Sequence, residues 1–139
     1  TGFNQKNTNI IRNMLERKGI YLNSYVSSTC LNKPSRPYPY MIQENMKNFN
    51  ITDPRKVIKV DDTVVGINEG LYSNCWTVGV ARWSTYMNIQ SMEDINNLRA
   101  SDIEDKLKYS RGVLENTDAD FVIDTLDELP KVIEKINSM

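Results

Sequence analysis

Two adjacent carboxylates, Asp61 and Asp62, close the β-branched run Lys56-Val57-Ile58-Lys59-Val60, and Thr63 after them reads as the start of a helix. A strand that stops at an acidic pair sets those carboxylates at the carboxyl edge of a sheet, where open α/β folds bind ligands. Hard oxygen ligands in such a crevice suit Mg²⁺, commonly shared with a substrate phosphate. The same pair would also suit a solvated helix N-terminus, where acids complement the dipole. The chain has no histidine. That excludes His-based triads, His metal sites and a His general base within it. Chemistry here falls to carboxylates, Lys, Arg, Tyr, hydroxyls or thiols. Cys30 and Cys75 are far apart, fit no zinc spacing and have no histidine to activate them.

The 139 residues are enough for one domain, 1–139, and the net charge is −1 with Lys and Arg dispersed. No basic stripe of the kind nucleic acid requires is present. No apolar run reaches membrane-spanning length, and no secretory h-region occurs. The low cysteine count leads us to expect a reduced, cytoplasmic protein.

The elements that must position the acids follow from periodicity. Asn4 to Lys18 carries Ile10, Ile11, Met14 and Leu15 on one helical face and stops at Gly19. Tyr21 to Ser28, centred on Tyr25 and Val26, suits a strand. A loop with Pro34, Pro37 and Pro39 leads to a helix reaching about Asn50, with Met41, Ile42, Met46 and Phe49 as its apolar face. Val57 to Val60 is predicted as a strand and Thr63 to Asn74 as a helix. Trp76 to Ala81 is predicted as the next strand. Ser91 to Arg99 reads as a short helix and Ser101 to Leu114 as a longer one, with Ser101 and Glu104 as its capping box. Asp120 to Ile123 is a short strand. Asp127 to Ile136 is a closing helix with Leu129, Val132, Ile133 and Ile136 inside. Strands alternating with helices predict an α/β fold with a parallel, doubly wound sheet.

Several landmarks occur together. Thr1-Gly2-Phe3 precedes a helix, and Ser35-Arg36-Pro37-Tyr38-Pro39-Tyr40 follows the expected strand at Tyr25. Lys59-Val60-Asp61-Asp62-Thr63 then leads to Asn68-Glu69-Gly70, and Trp76-Thr77-Val78-Gly79-Val80 follows. In this order they resemble the carboxyl-terminal part of the phosphonoacetaldehyde hydrolases, or phosphonatases, of the haloacid dehalogenase superfamily. Arg-Pro-Tyr-Pro is the most specific element. The tail, Phe121 to Asn137, is similar to the family's last strand and helix.

The resemblance implies a partial Rossmann-like parallel sheet that lacks its amino-terminal strands and helical cap. It implies cleavage of the C–P bond of phosphonoacetaldehyde to acetaldehyde and phosphate. A cap lysine forms a Schiff base with the aldehyde, an aspartate attacks phosphorus, and Mg²⁺ balances charge. Carried over, Thr1 and Gly2 match the turn that binds the phosphoryl group, Arg36 the cation facing its oxygens, and Asp62 the first metal-site acid. The nucleophile, the cap lysine and the central strands are expected upstream of Thr1, so we expect a longer parent protein, with a homodimer as family precedent. Without those strands, the strand at Tyr25 and the strand at Val57 have no common neighbour.

Three residues depart from the family pattern. Phe3 stands in place of tyrosine, Asp61 in place of glycine, and Gly66 in place of the second metal-site aspartate. Asp61 is therefore a candidate to replace the acid lost at 66. Another phosphatase or phosphomutase of the superfamily is the alternative activity, and a catalytically inactive remnant is the non-enzymatic one. A phosphoacceptor receiver domain also ends a strand in an acidic pair, but Val78 to Ala81 supplies neither of the further residues it needs.

Overall fold

The computed structural model describes residues 1–139. Helices α1 (Gln5–Arg17) and α2 (Tyr40–Asn48) precede a three-stranded parallel sheet in the order β1 (Ile58–Asp61), β2 (Trp76–Val80), β3 (Phe121–Ile123). Parallel neighbours need crossovers. Helix α3 (Val64–Tyr72) supplies the first, and α4 (Met92–Asn97) with α5 (Ala100–Glu115) the second. Helix α6 (Leu129–Asn137) closes the chain. The α/β parallel fold expected from the sequence is the fold found.

Strand alternation divides the core in two. Val78 and Ile123 pack with Val132 of α6, joined by Ile58, Val60 and Phe121. On the opposite face, Ile67 of α3 meets Leu107 and Leu114 of α5, with Ala81 and Met87. The register pairs Val60 with Val78 and Asp61 with Gly79, and then Val80 with Ile123. A side-chain clamp fixes the start of β3. Asp120 Oδ2 accepts from both the backbone N–H and the hydroxyl of Thr77, each at 2.8 Å.

Four sequence expectations change. Tyr21 to Ser28 is not a strand, because a strand needs a ladder and this segment has none. Its backbone meets residues 1–3, through Thr1 N–H donating to Val26 O at 2.8 Å and Ser28 N–H to Phe3 O at 3.0 Å, and turns locally onto Cys30, whose N–H donates to Ser27 O at 3.2 Å. The cap of α5 is not Ser101 with Glu104. The helix begins at Ala100, and Asp102 accepts from the backbone N–H and the guanidinium of Arg99. The closing helix starts with a separate 3₁₀ turn, Leu126–Glu128, ahead of α6. Within α6, Leu129, Val132 and Ile136 pack inward, whereas Ile133 is 37% exposed at the edge of that stripe. Helix α1 forms as expected, with its apolar side uncovered: its one buried residue is Thr8.

Candidate active site

The end of β1 gathers charge under a helix whose sequence makes room for it. Lys59 and Asp61 lie two residues apart and so share the face of β1 that α3 covers. Helix α3 presents Gly66 and Gly70, four apart and on one side, above them. A Cβ at Gly66 would stand 2.0 Å from the Asp61 carboxyl carbon. A Cβ at Gly70 would stand 2.6 Å from Thr77 Cγ2 and 2.9 Å from Lys59 Cβ. The two glycines vacate the volume that the charged side chains fill. Gly2 does the same for Arg36, since a Cβ there would meet Nη2 at 2.3 Å.

Asp61 is the hub. Its Oδ2 accepts from Arg36 Nη1 at 3.0 Å and from Lys59 Nζ at 3.1 Å. Its Oδ1 accepts from the Thr63 backbone N–H at 3.0 Å and the Thr63 hydroxyl at 2.6 Å. Thr63 in turn caps α3, its hydroxyl accepting from Gly66 N–H at 3.1 Å. Four donors on two oxygens take up the acceptor capacity of a carboxylate. Burial pushes the Asp61 carboxyl upward, but the Thr63 hydroxyl bond and the charges of Lys59 and Arg36 outweigh it, and its pKa lies below the ordinary value.

Lys59 also reaches Glu69 Oε2 at 3.0 Å. Glu69 is 1% exposed, and its other oxygen, Oε1, is buried without a partner. Arg36, Asp61, Lys59 and Glu69 thus form a charge-balanced chain of four largely buried groups. Burying one alone would be costly, whereas alternating signs with hydrogen bonds offset the desolvation. Lys59 and Glu69 also line a cavity of about 270 Å³ between α2 and β1, whose other walls include Met41, Met46, Phe49 and Val57.

The residues expected from sequence are placed unequally. Arg36, Gly2 and Asp61 come together. Asp62, the next residue along, is exposed and makes no hydrogen bond or ion pair with this cluster. Thr1 is nearby, but its hydroxyl accepts from Phe3 N–H at 3.3 Å and so forms the turn itself. No group of three or more acidic or cysteine side chains converges as a ready-made metal cage. Sequence reasoning missed Lys59 and Glu69. The signal was present in the same-face spacing of Lys59 with Asp61 and in the Gly66, Glu69, Gly70 pattern of α3.

Cys75 is buried at the start of β2, and burial pushes its thiol up to about 11. Cys30 is exposed, with its sulfur 2.8 Å from Ser27 Oγ. Neither thiol belongs to the charged cluster.

Fold and site together define part of a parallel α/β core with an arginine-aspartate pair at a strand end. No family model matches the chain. Individual relatives do. The phosphonoacetaldehyde hydrolase of Parabacteroides distasonis is 37% identical over 138 residues, covering 99% of this chain and 52% of that protein. That of Lysinibacillus sphaericus is 31% identical over 137 residues, covering 99% of this chain and 51% of that protein. The crystal structure of a phosphonoacetaldehyde hydrolase-like protein from Oleispira antarctica superposes with a TM-score of 0.90 at 28% identity, covering 99% of this chain and 49% of that one. The chain therefore spans about half the length of the curated relatives it matches. Its likeness is to a portion of phosphonoacetaldehyde hydrolases, consistent with their carboxyl-terminal part, and its fold is that of a haloacid dehalogenase-type core.

Proposed function

We propose that this chain is the carboxyl-terminal core of a hydrolase that splits the C–P bond of phosphonoacetaldehyde into acetaldehyde and phosphate. The observation that carries this reading is the 37% identity across 138 residues to a curated enzyme of that name, with Arg36 and the strand-end acids at the resembling motifs. The guanidinium of Arg36 offers a planar fork of donors suited to phosphoryl oxygens. Gly2 lets that guanidinium lie close over the backbone at the turn. The Thr1 hydroxyl is assigned to the phosphoryl group once the turn opens to ligand.

Asp62 is the carboxylate assigned to Mg²⁺. It fits as a single open acid at a strand end, since Mg²⁺ commonly uses one or two carboxylates with waters and a phosphate. When bound, the ion supplies positive charge beside the phosphoryl and carboxylate oxygens. Asp61 was the second acid expected there, but its four acceptor positions are already taken.

An upstream half of the parent supplies the nucleophilic aspartate and the Schiff-base lysine, and a strand that pairs with the open edge of β1. The parent is assigned to the cytoplasm, to phosphonate degradation and to a homodimer. No helix of the chain is long and apolar enough to cross a membrane. A second reading, an inactive remnant, draws on Asp61 holding the arginine that substrate would need.

The test is an assay of the intact parent protein with phosphonoacetaldehyde and Mg²⁺. Acetaldehyde and phosphate in equal amounts, with inactivation by borohydride in the presence of the aldehyde, are expected. Phosphate released only from monoesters would replace this reading with a phosphatase. Release of neither product from either substrate would favour the remnant.

A further inference from the structure

The carboxylate of Asp61 occupies a site with every component of an oxyanion pocket. Two cations, Arg36 and Lys59, converge on a single oxygen at 3.0 and 3.1 Å. The second oxygen receives a backbone N–H and a hydroxyl from Thr63 at the amino end of α3. The space is not accidental, because the missing side chain of Gly66 opens it and the missing side chain of Gly2 admits the guanidinium. Lys59 is fixed from behind by Glu69, whose nearly complete burial ties the ammonium in place. The cations' side chains are only 20% and 16% exposed, so an anion held between them is largely withdrawn from water. Charge-assisted bonds in such a setting are short and strong, and they do not distinguish a carboxylate oxygen from a phosphoryl oxygen by charge.

We propose that Lys59 is a second oxyanion-binding cation alongside Arg36, and that Asp61 is a resident anion which a phosphate or phosphonate group must displace to enter. The inference rests on the assignment of Arg36 to the phosphoryl group, but not on C–P cleavage. Asp61 thereby sets the affinity of the site. With the carboxylate in place, an incoming oxyanion competes against four donors already satisfied. With it removed, the same donors lose their shared acceptor, while Lys59 stays held in place by Glu69.

The probe is inorganic phosphate, titrated by calorimetry into the intact protein with a chelator present. Asp61→Gly is expected to bind phosphate about tenfold or more tighter than the unaltered protein, the order expected when a charge-assisted competitor is removed. Lys59→Met added to Asp61→Gly should abolish the gain. Equal phosphate affinity with and without Asp61 would overturn the proposal, as would a gain that survives Lys59→Met. If Asp61→Gly shows no cooperative melting, Asp61→Ala vacates the same space and is expected to give the same gain. A further readout needs no variant. The ¹³C signal of the Asp61 carboxyl carbon in the unaltered protein should move as phosphate is added, and a signal that stays fixed to saturating phosphate would refute displacement. Tight phosphate binding by Asp61→Gly in a protein that does not cleave phosphonoacetaldehyde would leave this inference standing and remove the proposed activity. Cleavage with phosphate affinity indifferent to Asp61 would do the reverse.

Discussion

Helices α1 and α5 are both amphipathic, yet α5 buries Leu107 and Leu114 to 3% and 0% exposure, while α1 leaves Ile10 and Met14 more than half exposed. The difference lies in what each helix has to cover. Helix α5 lies on β2 and β3, whose backbones are joined in register, so its apolar stripe meets a continuous surface. Helix α1 faces a segment, Tyr21 to Ser28, that forms no ladder and offers no sheet. Amphipathicity supplies a face, and only a partner element turns that face into stability. The charged site sits on the boundary between the two regions. Asp61, Lys59 and Glu69 come from the sheet half, and Gly2 and Arg36 from the other.

That contrast predicts unequal responses to substitution. The largest effect is expected for Leu114→Ala, which removes a fully buried side chain from the α5 cluster and should cost about 3 kcal/mol in a denaturant titration. A loss below about 1 kcal/mol would mean that the α5 core collapses easily and is no firmer than the α1 region. Next is Gly70→Ala. The added Cβ would press on Thr77 and Lys59, and overpacking of about 1–3 kcal/mol should exceed the helix-propensity gain of about 1 kcal/mol. A rise in melting temperature for that variant would show that β1 moves away from α3 freely.

The two thiols report on the two regions separately. In the folded chain the Cys75 thiol is raised from 9.0 to about 11, so the unfolded state loses its proton first as pH rises. The contribution is fully present below pH 9 and is lost as pH climbs toward 11. Melting temperature should therefore fall across that window, and Cys75→Ser should flatten the fall. At neutral pH, Cys30 should react with a maleimide well before Cys75, because access to Cys75 requires opening of the sheet region. Simultaneous labelling would remove the claim that the sheet half is the more protected. The smallest effect is assigned to Met14→Ala, within about 0.5 kcal/mol, since the side chain is already 56% exposed. A loss near that of Leu114→Ala would show that α1 is covered by a partner in solution.

Much of the sheet half was legible because its signals are local. The β-branched run before Asp61 and the apolar run from Trp76 each became a strand. Ser91 caps α4, here reciprocally with Asp94. Misreadings arose where two local signals competed or where a partner was needed. Asp102 outcompeted Ser101 at the start of α5 because it reaches both the backbone and the guanidinium of Arg99. Tyr21 to Ser28 has strand-like composition but no neighbour to complete its hydrogen bonds.

The alternation of strands and helices, the acidic pair at a strand end and the absence of histidine chemistry can be read from residue type and short-range period alone. The sequence also placed Arg36 and Asp61 as candidates. That Asp61 turns inward to two cations while Asp62 stays open follows from packing between distant segments. Those partners come from a loop 25 residues away and from the same strand, held by a glutamate on the helix above. Charge pairing at that range depends on how α3 lies across β1, and that packing depends on two glycines whose role is the space they leave.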